Sequence, residues 1–176
     1  MSASLAISLD AMGGDNAPEM VIRGADIARQ RFPDAHFLFF GDEQRTKRMI
    51  ERLPGLSAAS TVRHAETEVK MEDKPSQALR AGRKSSMRYA IDAVHNGEAA
   101  AVVSAGNTGA LMAMTNIVLC TLPGIDRPAI ASFFPTTRSE SVMLDLGANV
   151  ECDATNLVQF AVMGSVFART VLGVRE

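Results

Sequence analysis

VVSAGNTGALM, residues 102–112, sets one apolar run against another, with small, uncharged residues between them. Val102 and Val103 close a short apolar run, and a helical period opens by Leu111. The loop between them carries Gly106, Asn107, Thr108 and Gly109 and no charge. A bare turn would serve as a connection. Glycine also lets another group approach the backbone closely. A helix opening beyond it offers unsatisfied N–H groups and a positive dipole end. The stretch therefore reads as a strand-to-helix turn able to hold an anion.

Reading outward, strands and helices alternate. LAISLD (5–10) is a strand, and residues 17–32 form a helix with Val21, Ala25, Ala28 and Phe32 on one face. Asn16, Pro18 and Glu19 resemble a helix start. AHFLFF (35–40) is a second strand ended by Gly41. A polar helix over 42–52 stops at Leu53-Pro54-Gly55, and STVRHA (60–65) is a weaker strand. Residues 66–74, of mixed charge and no period, read as a surface loop. A helix over 85–96 closes on Gly97, AAAVVS (99–104) is a strand, and 107–120 is a helix apolar nearly all round, hence buried. AIASFF (129–134) and SVMLDL (141–146) are two further strands. Asp153 caps a last helix that turns Leu157, Phe160, Ala161, Gly164, Phe167 and Val171 inward. This alternation predicts a doubly wound, mostly parallel α/β sheet, with residues 1–176 as one domain. Ligands of such sheets bind outside the carboxyl ends of the strands.

The composition narrows the partners. With 47% hydrophobic residues the chain can bury a core, and its net charge of -2 and pI near 5.9 argue against nucleic-acid binding. Cys120 and Cys152 form no metal-ligand spacing, and the N-terminus has no basic region ahead of an apolar run. The longest apolar stretch, 110–122, is too short for a bilayer core of about 30 Å. A reduced, cytoplasmic protein is expected.

Three loops leave strand ends with similar chemistry: DAMGGDNAP (10–18), SAGNTG (104–109) and DLGANVECD (145–153). They nominate Asp10, Gly13, Gly14, Asp15, Ser104, Gly106, Gly109, Asp145 and Gly147 as phosphate-binding positions. Any one of them could be turn chemistry alone. Three at one sheet edge favour a ligand crevice. None is a dinucleotide or Walker-type motif. KPSQALRAGRKSSMR (74–88) adds five cations and no acid, a local positive field suited to phosphate or a phosphorylated carrier. Lys74, Arg80 and Lys84 are its candidates for balancing an anion, although a solvated helix face is the commoner fate of such runs. Ser85 and Ser86 could cap the next helix or donate to the anion. No serine, cysteine or histidine nucleophile motif and no metal-ligand set is present, and no cofactor is implied. The bound anion would itself be the nucleophile, with Asn107, Thr108 or Asn149 stabilising the oxyanion and the aspartates orienting loop amides.

SLDAMGGDNAPE, KPSQALRAGRKSSM, VVSAGNTGALM, DRPAIA, LDLGANVECD and LVQFAVMG together resemble the bacterial phosphate acyltransferase (PlsX) family of phospholipid synthesis. The resemblance implies transfer of a fatty acyl group from acyl carrier protein to inorganic phosphate, on a fold similar to phosphotransacetylases and isopropylmalate dehydrogenases. It also implies a homodimer, peripherally associated with the membrane through lipid or a membrane glycerol-3-phosphate acyltransferase. The family's chain continues well past residue 176, so the expectation is the N-terminal portion of a longer protein. A short-chain phosphotransacetylase using acyl-CoA, or an inactive phosphate-binding or dimerising fragment, are the alternatives.

Overall fold

Strand β1 (Ala6–Asp10) is a central strand, and its last three residues, Ser8, Leu9 and Asp10, are buried. In the computed structural model, which describes residues 5–137 and 139–173, it pairs in parallel with β2 (His36–Gly41) and β4 (Ala101–Val103). β2 pairs in parallel with β3 (Ser60–His64), giving the order β3-β2-β1-β4. The chain forms two compact units, Met1–Leu119 and Cys120–Glu176, where the sequence reading treats 1–176 as one α/β domain.

In the first unit, alternate side chains of β1 and β2 feed two cores. Leu9, Phe37 and Phe39 meet Ile22 and Ala25 of α1 (Glu19–Arg31), Ile50 of α2 (Glu43–Ile50) and Leu56 of α3 (Pro54–Ala58). Leu38 and Phe40 face Ala90 and Ala93 of α5 (Ser86–His95). A third cluster joins Met87 and Ile91 of α5 to Ala110, Met114 and Val118 of α6 (Thr108–Leu119) and Ala78 of α4 (Pro75–Ala81). Each of the larger side chains among them contributes roughly 1.5–3 kcal/mol of burial, and the alanines less. A single 3-10 turn, Gly82–Lys84, links α4 to α5.

Several expected details are corrected. The buried stripe of α1 runs through Ile22 and Ala25, and Phe32, expected on it, is 64% exposed just past the helix end. No side chain caps α1, so the Asn16 start signal is not realised. The Pro54-Gly55 stop begins the short helix α3, with proline in the first turn where its missing N–H costs nothing. The cationic stretch contains helix α4. The expected buried helix α6 exposes Ile117, and Cys120 lies beyond its end, exposed and at positive φ.

The second unit holds β5 (Ala131–Pro135) and β6 (Glu140–Leu144), which pair antiparallel in a sheet of their own. They were expected in the parallel sheet. Only four residues separate them, too few for the crossover that parallel pairing needs. Helix α7 (Ala154–Leu172) starts at the expected cap: Asp153 accepts from Asn156 N at 2.8 Å, and the Asn156 side chain reaches back to Asp153 N. Phe160 is buried and Phe167 lies 5.8 Å from Phe133, centroid to centroid. Leu157 and Val171, expected inward, are more than half exposed.

Candidate active site

The carboxyl end of β1 is organised by one buried carboxylate. Asp10 is 2% exposed; its Oδ1 accepts from Ser86 Oγ at 2.5 Å and Met12 N at 3.3 Å, and its Oδ2 accepts from Ser104 Oγ at 2.7 Å. Ser104 Oγ in turn accepts from Gly106 N at 3.1 Å. Three segments are thereby joined at one sheet edge: the loop after β1, the loop after β4 and the first residue of α5. A buried charge survives only when so compensated, and hydrogen bonds to a charged group contribute about 1.5–3 kcal/mol each.

The two glycine loops pack on each other. A Cβ on Gly13 would stand 2.5 Å from Asp10 Oδ2 and 2.9 Å from Gly106 N, and one on Gly106 would lie 3.2 Å from Gly13 Cα. One on Gly109 would meet Pro75 Cγ at 2.9 Å. Gly14 has φ +96°, which side chains resist. Gly13, Gly106 and Gly109, expected to admit a ligand, are thus already required by neighbouring protein atoms.

Asn107 is equally committed. Its Nδ2 lies 3.2, 2.9 and 2.8 Å from the carbonyls of Lys70, Met71 and Asp73, and its Oδ1 accepts from Ala110 N at 3.0 Å. It caps α6 and pins the 66–74 loop, so its amide hydrogens point to protein and not into the crevice. Thr108 and Gly109 stay exposed at the helix start, where N–H groups lack intrahelical acceptors. Ser85 is buried and caps α5 by accepting from Arg88 N at 3.2 Å, while Ser86 is spent on Asp10. Asp15 is exposed.

The cations divide in two groups. Lys84 Nζ pairs with both oxygens of Glu66, at 2.9 and 3.0 Å, which holds its pKa above the ordinary lysine value. Arg88 pairs with Asp92 at 2.8 Å. Lys74 and Arg80 are exposed with no ion pair among the described residues, and Lys74 directly follows Asp73, whose carbonyl Asn107 holds. The 66–74 segment, read as plain surface, is therefore part of the site's framework. The one signal available was Val69, a buried apolar residue inside a charged run.

The third loop belongs to the second unit and is fastened within itself and to residues 128–130. Asp145 accepts from Ile130 N at 2.8 Å, Ala148 N at 3.3 Å, and Asn149 N and Nδ2 at 2.8 and 3.1 Å. Burial pushes its carboxyl up, but these donors more than offset it and the net pKa falls below the ordinary aspartate value. Asn149 Nδ2 also donates to Pro128 O at 2.9 Å. Like Asn107, Asn149 spends its side-chain donors on nearby protein oxygens, those of Pro128 and Asp145, and Gly147 supplies a positive φ at the turn. No group of three or more potential metal ligands occurs among the described residues. No helix among them is long and apolar enough to cross a membrane.

Residues 5–176 match a family model described as fatty acid synthesis protein. The chain is 68% identical over 176 residues to the phosphate acyltransferase of Rhodospirillum centenum, covering 100% of this chain and 50% of that one. Against the phosphate acyltransferase of Rhodospirillum rubrum it is 62% identical over 172 residues, 98% of this chain and 49% of the relative. That of Paramagnetospirillum magneticum is 57% identical over 176 residues, 100% and 50%. The chain thus spans about half the length of the curated relatives it matches. On the family model and these identities, the chain belongs to the fatty acid synthesis protein family, alongside phosphate acyltransferases.

Proposed function

We propose that these residues form part of an acyltransferase that moves a fatty acyl group from acyl carrier protein to inorganic phosphate. The observation that carries this reading is the Asp10 junction, which fixes two strand-to-helix loops and the start of α5. Asn107 meanwhile holds the start of α6 beside Asp73 and Lys74, the latter without an ion pair among the described residues. Phosphate would rest on the backbone N–H groups of Thr108 and Gly109, its charge offset by Lys74 and Arg80.

The chemistry then needs no protein nucleophile. An oxygen of hydrogen phosphate attacks the thioester carbon, the C–O bond forms and the C–S bond breaks. The phosphate's proton goes to the departing thiolate, leaving an acyl phosphate and a free thiol. The oxyanion of the tetrahedral intermediate would be met by the Thr108 hydroxyl and loop N–H groups, since the Asn107 and Asn149 side chains are engaged. Rate enhancement would come mainly from holding an already anionic nucleophile against the carbonyl. Exposed Lys74, Arg80 and Arg83 suit an acidic carrier.

The test is hydroxylamine trapping of acyl phosphate from long-chain acyl carrier protein plus phosphate. It is run on a full-length enzyme carrying these residues as its first half. Turnover of acetyl-CoA with none of the long-chain carrier substrate would replace this reading with a short-chain phosphotransacetylase.

A further inference from the structure

Lys74 is gripped on both sides by residues at the start of α6. Its predecessor Asp73 gives its carbonyl to Asn107 Nδ2 at 2.8 Å, the shortest of that amide's three contacts. Its successor Pro75 lies against Gly109, where a Cβ would stand 2.9 Å from Pro75 Cγ. The Lys74 carbonyl accepts from Gln77 N at 2.8 Å and Ala78 N at 3.0 Å. The chain leading in is fastened as well. Lys70 N donates to Asp73 Oδ2 at 2.9 Å and Asp73 N to Lys70 O at 3.2 Å, which closes 70–73 as a turn. Val69 is buried in one cluster with Ala78, Met87 and Met114. All this order ends in a side chain that is exposed and has no ion pair among the described residues, whereas Lys84 and Arg88 are paired. Water alone would satisfy an ordinary surface lysine, which needs no such framework.

We propose that Asn107 is a positioning residue that acts through Lys74, setting its backbone so that its ammonium meets the phosphate at the start of α6. The missing side chain of Gly109 serves the same end by letting Pro75 sit close. Lysine carries its charge on a flexible four-carbon stem, so the place where the stem begins decides what the charge can reach. A misplacement of about 1 Å can cost about a hundredfold in rate. The inference rests on the reading of this loop as a phosphate site. It gives the Asn107 side chain an effect on phosphate without contact, since its amide hydrogens are spent on carbonyls.

The test is a double-mutant cycle in a full-length enzyme carrying these residues as its first half. Lys74→Ala, Asn107→Ala and their combination are titrated with inorganic phosphate by calorimetry, and KM for phosphate and kcat are taken from acyl phosphate trapping. Each single change should weaken phosphate binding about tenfold and raise KM alike, with kcat altered less than about threefold. The combination should be no weaker than Lys74→Ala alone, because both changes remove one interaction. Independent effects, multiplying to about a hundredfold, overturn the proposal. So does wild-type phosphate affinity in Asn107→Ala. Where Asn107→Ala fails to fold, Gly109→Ala takes its place in the cycle, since alanine favours the helix and perturbs Pro75. Its loss should likewise vanish in the Lys74→Ala background, and a loss that persists there overturns the proposal. A chain that shows this pattern with phosphate yet forms no acyl phosphate sinks the transfer reaction and leaves the positioning intact.

Discussion

Asp10 and Ser104 stand 94 residues apart in sequence and 2.7 Å apart in space, carboxylate to hydroxyl. That contact fastens the end of β1 to the loop after β4. Asp10→Asn keeps the shape but puts an amide hydrogen where a serine now donates. It should cost about 1–3 kcal/mol in urea unfolding, the range for leaving a buried polar group unsatisfied. A change below about 0.5 kcal/mol would show that the junction does not hold the loops.

Asn107 gives a sharper discrimination. Asn107→Asp retains the acceptor for Ala110 N but sets a carboxylate against three carbonyl oxygens. Both Asn107→Asp and Asn107→Ala should lower stability by about 1–3 kcal/mol and expose residues 66–74 to protease. A variant that loses activity with unaltered stability and proteolysis would instead make the side chain a direct ligand of substrate.

Charge reversals should separate the cations. Lys74→Glu and Arg80→Glu should each weaken phosphate or carrier binding by about tenfold at low salt, the effect shrinking as ionic strength rises. Lys84→Glu should have the smaller effect on binding, because that charge is already paired with Glu66. Isothermal titration at two salt concentrations reads the difference, and equal losses at all three positions would reject the division.

Asp145 predicts the acid limb of the second unit. Its folded pKa lies below its unfolded one, so its stabilisation is complete above the unfolded value near 4 and fades as pH falls through the folded value. Asp145→Asn should flatten that loss. Thermal midpoints between pH 2 and 5 that decline equally in both proteins would assign the acid sensitivity elsewhere.

Much of the architecture was legible because burial writes itself into the sequence. β2 is buried from Phe37 to Gly41 and so reads as an apolar run, and Asp153 announced α7 with a cap whose Asn156 partner completes it. The pairing of β5 with β6 was not legible as a separate sheet, since an apolar strand does not state its partner. The site was legible by position and not by role. Glycine and asparagine mark both ligand loops and tightly packed turns, and only coordinates show Gly13 against Gly106, or Asn107 turned onto Lys70, Met71 and Asp73. Asp10 looked like one loop residue among several, because its serine partners lie 76 and 94 residues away.

Strand β3 closes the other end of the sheet with Arg63, which spans Glu98 and lies over the Phe40 ring at 5.7 Å. Charged side chains on an edge deter a further strand, whereas β4 presents only alanine and valine. The sheet therefore has a growth polarity. It can lengthen past β4 but not past β3, and a misplaced strand from an unfolded neighbour would seed aggregation at that same end.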